Sequence, residues 1–129
     1  MYEWEIDPRI NLFNYNKFLS GLDKFSKEDI NNLDIDTRNL LIKCIDPQLD
    51  YSKPHSITGI TIGYIQSGKT SSMEAVANLA RDLGYKIIII LSGTVGSLTR
   101  QTRDRFYKSV NGIGWKRIYI PGYLEEQLN

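Results

Sequence analysis

The sequence predicts an α/β fold: a parallel sheet with helices on its faces, preceded by an N-terminal helical arm. Three observations carry that expectation. Ile57 to Ile65 alternates and then runs β-branched, the pattern of a buried strand. Lys86 to Leu91 contains four consecutive isoleucines, apolar on both faces as a strand covered by helices requires. Between them, Met73, Val76, Ala77, Ala80 and Leu83 trace one helical face over Lys69 to Leu83. Strands separated by a helix imply parallel pairing through a right-handed crossover.

The elements follow in order along the chain. Ile10, Phe13, Tyr15, Phe18 and Leu19 lie near helical spacing, and Gly21 ends that short segment. Ser26-Lys-Glu-Asp29 has the form of a capping box, so a second helix is expected to start there. Leu33, Ile35, Leu40, Leu41, Cys44 and Ile45 continue its apolar face, with a weak point near Asp34–Asp36, and Pro47 stops it. A polar joint runs from Asp50 to His55. It divides a helical region over residues 1–50 from an incomplete sheet-bearing core over residues 56–129. In that core the strand from Ile57 leads through a glycine-rich turn into the helix from Lys69, which Gly84 stops. After the second strand, Ser92-Gly-Thr94 forms a turn. Ser97 to Val110 then reads as a helix with a basic outer face, and Arg117 to Ile120 as a third short strand.

Composition narrows the function classes. At 129 residues, 41% hydrophobic and 24% charged, the chain suits one globular domain and leaves no room for a complete helicase or multi-part nuclease. The longest apolar run, Ile87 to Leu91, falls far short of the ~18 residues of a membrane span, so no membrane association is expected. The acidic opening Met-Tyr-Glu-Trp-Glu, with no apolar stretch behind it, does not read as a secretory signal. One cysteine, Cys44, cannot form an internal disulfide, and with His55 as the single histidine a zinc site is not expected. A reducing cytoplasm is the expected location. Net charge is +1, but it is unevenly spread: residues 1–50 carry ten acids and six bases, residues 51–129 five acids and ten bases. Arg100, Arg103, Arg105, Lys108, Lys116 and Arg117 cluster with only Asp104 against them. Such a cluster can meet nucleic-acid phosphates, or it can be a solvated helix face.

The motif that carries chemistry is Gly63-Tyr-Ile-Gln-Ser-Gly-Lys-Thr70, a full GxxxxGKT. The loop must curl so that successive backbone N–H groups converge on phosphate oxygens, and Gly63 and Gly68 permit that path. It opens a helix, whose free N–H groups and positive dipole end favour an anion. Lys69 brings an ammonium to the β- and γ-phosphates, and the Thr70 hydroxyl can ligate Mg²⁺. Gln66, Ser67 and Ser71 complete the expected cradle for ATP. A chance match in a chain this long arises about once in two hundred sequences. The fold expected around this loop is therefore part of a P-loop NTPase.

The second catalytic element of such enzymes, an acid ending a hydrophobic strand, is missing. Ile87 to Leu91 ends in Ser92-Gly-Thr94, and Glu125 and Glu126 read as a solvated turn. No catalytic residue can be assigned. Binding without turnover is expected, unless the missing groups come from the rest of the polypeptide or from another protein.

The loop, the string Ala80-Arg-Asp-Leu-Gly-Tyr-Lys-Ile-Ile-Ile-Ile-Leu-Ser-Gly-Thr94 and the string Leu98-Thr-Arg-Gln-Thr-Arg-Asp-Arg105 together resemble the start of the Z1 domain family. That family is described as endonucleases, is found in bacterial defence operons and is related to the superfamily-two helicases, so the resemblance implies a P-loop NTPase core of the RecA or helicase type. The resemblance covers about residues 56–106. It implies an ATPase of bacterial defence or restriction that is directed by DNA, with other defence proteins as partners. It makes Lys69 and Thr70 the nucleotide-binding pair. It implies that Ser92, Gly93 and Thr94, with Gln101 and Thr102, face a nucleic-acid backbone, flanked by Arg100 and Arg103. Full members are longer and carry an acid-bearing strand and a second lobe, so the chain resembles an N-terminal piece of one.

No nuclease motif accompanies the family name. Asp46, Asp50 and Lys53 have no nuclease spacing and read as part of the solvated joint. Gln48 and Tyr51 could form an adenine clamp upstream of the loop, or belong to the same joint. Two other function classes fit the loop: a P-loop kinase of small molecules, and a non-catalytic nucleotide-binding module. Stimulation of ATP turnover by single-stranded DNA would separate the first reading from the kinase.

Overall fold

The computed structural model describes residues 3–49, 52, 55–62, 69–90, 104 and 108. Contacts divide the chain into two compact units, Met1–Ile88 and Ile89–Asn129. The first contains three helices: α1 (Phe13–Ser20), α2 (Lys27–Leu41) and α3 (Lys69–Leu83). In the second, Asp104 and Lys108 are helical and exposed, and the other residues of the basic cluster lie outside the described residues.

The described residues do not form the expected parallel sheet. Among the described residues there are the helices α1, α2 and α3, the helical Asp104 and Lys108, and no strand. Residues 57–62 and 86–90 have no regular secondary structure. Ile60 and Ile62 are each 86% exposed, and Ile87 and Ile89 are exposed almost as fully. The physical reason is that a β-branched run reports only how side chains would suit a pleated, covered surface. A strand exists only when a neighbour takes up its ladder hydrogen bonds and a layer covers its faces, and among the described residues neither is found at Ile60, Ile62, Ile87 and Ile89. The third expected strand, Arg117 to Ile120, lies outside the described residues.

The helices follow from local chemistry. In α2 the Ser26 hydroxyl accepts from the Asp29 N–H at 3.1 Å, and Asp29 Oδ2 accepts from the Ser26 N–H at 3.3 Å. This is the expected capping box, and it places Glu28 and Asp29 in a first turn that favours negative charge. The helix runs through Asp34–Asp36 without a break. Asp36 is exposed, and Asp34 Oδ1 accepts from both Arg38 Nε and the Tyr15 hydroxyl at 2.8 Å. Leu33 and Leu41 are buried, whereas Ile35, expected on the same face, is 48% exposed. The helix stops at Leu41, well before Pro47.

α3 ends as expected at Gly84, whose φ of +101° puts it in the left-handed region. The Tyr85 N–H donates to the Ala80 carbonyl at 3.1 Å and the Gly84 N–H to the Arg81 carbonyl at 3.2 Å. This pair is a Schellman motif, which satisfies carbonyls that the helix end would leave open. A side chain at Gly84 would adopt a strained backbone, with its Cβ 3.2 Å from Gln48 Nε2. Gly84→Ala is therefore expected to lower the unfolding free energy by about 1–2 kcal/mol, read from urea denaturation.

The core lies where α1 and α2 both pack on α3. Tyr15 and Leu79 are fully buried at its centre, joined by Phe18, Leu41, Ala75 and Leu83. Burial, and then the bond to Asp34, push the Tyr15 hydroxyl well above its ordinary pKa. It therefore stays a protonated donor linking α1 to α2. Past the end of α2, Trp4 Nε1 donates to the Cys44 carbonyl at 2.9 Å, and the Tyr85 hydroxyl donates to the Ile45 carbonyl. These two aromatics tie the N-terminal segment and the end of α3 to the same turn. Burial also pushes the Cys44 thiol up, which disfavours the thiolate.

Candidate functional site

The sequence placed its chemistry at the start of α3, and the helix begins at Lys69, the lysine of the GxxxxGKT motif. Thr70 follows half-buried and Ser71 is buried, 3% exposed. Gly63, Gln66, Ser67 and Gly68 lie outside the described residues. The first four N–H groups of any α-helix lack intrahelical partners. In α2 the capping box occupies part of that set, and two acidic side chains answer the positive end. The first turn of α3 contains no acidic residue. Its charge is a lysine, so helix end and side chain carry the same sign and together suit an anion.

Behind this turn α3 buries a polar stripe that the apolar pattern does not reveal. Ser71, Glu74 and Asn78 are all at least 96% buried and recur at helical spacing on one side. Asn78 Nδ2 donates to the Glu74 carbonyl at 2.9 Å. Among the described residues, Asn78 Oδ1 and Arg81 Nη1 are buried with no hydrogen-bond partner. Their i, i+3 and i+7 spacing in the sequence places them on one side of the helix but does not announce that this side is buried. Met73, which the apolar periodicity assigns to the buried face, is 46% exposed. Among the described residues no group of three or more His, Cys, Asp or Glu side chains is placed to hold a metal ion.

Gln48 does not serve this site. Its amide lies against Gly84, beyond the far end of α3. Fifteen helical positions separate Lys69 from Gly84, about 22 Å at 1.5 Å per residue. That exceeds what one nucleotide spans between its terminal phosphate and its base. Tyr51 lies outside the described residues. Asp46 belongs to a local turn, where Oδ1 accepts from the Gln48 N–H at 2.9 Å and the carbonyl from the Leu49 N–H at 3.1 Å. Asp50 and Lys53 lie outside the described residues, as do Ser92, Gly93, Thr94, Arg100, Gln101, Thr102 and Arg103.

Among the described residues no helix is long and apolar enough to cross a membrane. Comparison with protein-family models, with curated proteins and with solved structures finds no match to this chain.

Proposed function

We propose that this chain binds Mg-ATP by its phosphates through Gly63–Thr70, as the ATP-binding portion of a DNA-directed ATPase of a bacterial defence or restriction system, acting in the cytoplasm. The observation that carries the reading is that α3 opens at Lys69, with no acid in its first turn. A phosphate loop needs that junction, because the N–H groups that hold the anion are those of the first turn. In this reading Lys69 neutralises the β- and γ-phosphates and the Thr70 hydroxyl supplies one Mg²⁺ ligand. The resemblance to the Z1 family supplies the class of enzyme, the DNA and the defence partners.

Turnover needs more than this. Phosphoryl transfer is catalysed by metal, water-orienting group and often an arginine acting together on the γ-phosphate. The sequence offers the cradle without a carboxylate positioned for the metal. The purified chain is therefore expected to gain thermal stability with rising Mg-ATP, as ligand linkage requires, while releasing phosphate at background. Absence of any nucleotide-dependent shift, checked by equilibrium dialysis, would overturn the binding reading. Phosphate release clearly above that of a Lys69→Ala control would overturn the claim of incompleteness and direct the search to Asp104, Glu125 and Glu126.

A further inference from the structure

We propose that α1 is a strap, closed onto α3 by the Asp82 carboxylate, that opens as a unit while α2 and α3 stay folded. α1 has eight residues, below the length at which a helix holds itself in water. Its N-cap position is Leu12, which makes no side-chain capping bond. The cap comes instead from across the fold. Asp82 Oδ2 accepts from the Tyr15 N–H at 2.7 Å, and Asp82 Oδ1 accepts from Asn14 Nδ2 at 2.7 Å. Tyr15 is the third residue of α1, so this is the amide that a capping side chain would normally satisfy.

The position of Asp82 is accounted for by α1. An acid in the last turn of a helix opposes that helix's own dipole, so the carboxylate is misplaced with respect to α3. With respect to α1 it sits at the positive end, where negative charge is favoured. α2 differs in kind, because its capping box lies within its own sequence and survives whatever α1 does. Losing one carboxylate therefore removes the N-terminal support of α1 and leaves that of α2 intact. The open state bares the buried faces of Tyr15 and Phe18 and the surface of α3 beneath them. Its free energy lies between that of the closed unit and global unfolding.

Hydrogen exchange read by mass spectrometry on the full chain tests this. In the wild type, peptides from Phe13–Ser20 should exchange ahead of those from Leu33–Leu41 and Ala75–Leu83. Asp82→Ala should speed exchange in α1 about five- to thirtyfold, the factor that one lost cap implies, and leave the α2 and α3 peptides unchanged. Asn14→Ala removes one of the two bonds and should give a smaller acceleration confined to the same helix. Equal acceleration of all three helices, including outright unfolding of the Asp82→Ala chain, would show α1 to be an inseparable part of the core. An unchanged α1 rate in both variants would show that Asp82 does not hold it. Either result overturns the proposal.

Discussion

Lys69→Ala is expected to weaken binding of a fluorescent ATP analogue about ten- to a hundredfold, the largest effect of any single substitution on the proposed site. A charge-assisted hydrogen bond to phosphate is worth roughly 1.5–3 kcal/mol, and the ammonium is the one full positive charge the motif supplies. The substitution should not disturb the helix. Alanine is the best helix former, and the first turn needs no side chain at this position to continue. Circular dichroism should therefore match the wild type. Lys86→Ala removes an exposed lysine past the other end of α3 and should leave affinity unchanged. Thr70→Ala should weaken binding in Mg²⁺ and spare binding in EDTA, because its hydroxyl serves the metal. Equal affinity of Lys69→Ala and wild type, with the helix content intact, would remove the phosphate-loop assignment.

What the sequence reveals here depends on how far apart the interacting groups lie along it. The capping box of α2 spans Ser26 to Asp29, and the limits of α3 are set by Lys69 and Gly84. Each of these signals is complete within a few residues, so each is legible. The cap on α1 joins residues separated by 67 positions. Nothing around Leu12 announces it. The isoleucines of 57–62 and 87–90 mislead for a related reason. Their local preference is for a strand, but a strand is a property of two segments and a covering layer, and propensity speaks for one segment only. At the candidate site the motif singles out Lys69 and Thr70, and α3 does open at Lys69. The buried Glu74 and Asn78 were not legible, because their burial is decided by what packs against α3 rather than by their own polarity.

Leu79→Ala is expected to lower the stability of the unit Met1–Ile88 by about 2–5 kcal/mol, which for a unit of this size shifts the melting temperature by roughly 10–40 °C. Leu79 is fully buried in the core where α1 and α2 meet α3, together with Tyr15 and Phe18. Removing its side chain loses the transfer energy of three carbons and leaves a cavity that two separately tethered helices must close over. Trp4 and Tyr85 hold the end of α2 through carbonyls 44 and 45, and Asp82 holds α1, so neither helix is free to collapse into the gap. The cost should therefore fall in the upper part of the range. Met73→Ala is the decisive companion. The apolar periodicity of the sequence puts Met73 on the buried face and omits Leu79, whereas in the structure Met73 is 46% exposed and Leu79 is enclosed. Met73→Ala should cost under about 1 kcal/mol, as half-exposed positions do. A urea titration of the two variants side by side decides between the faces. If Met73→Ala proves the more damaging, α3 is rotated from the orientation described, and its contacts with α1 and α2 are overturned with it.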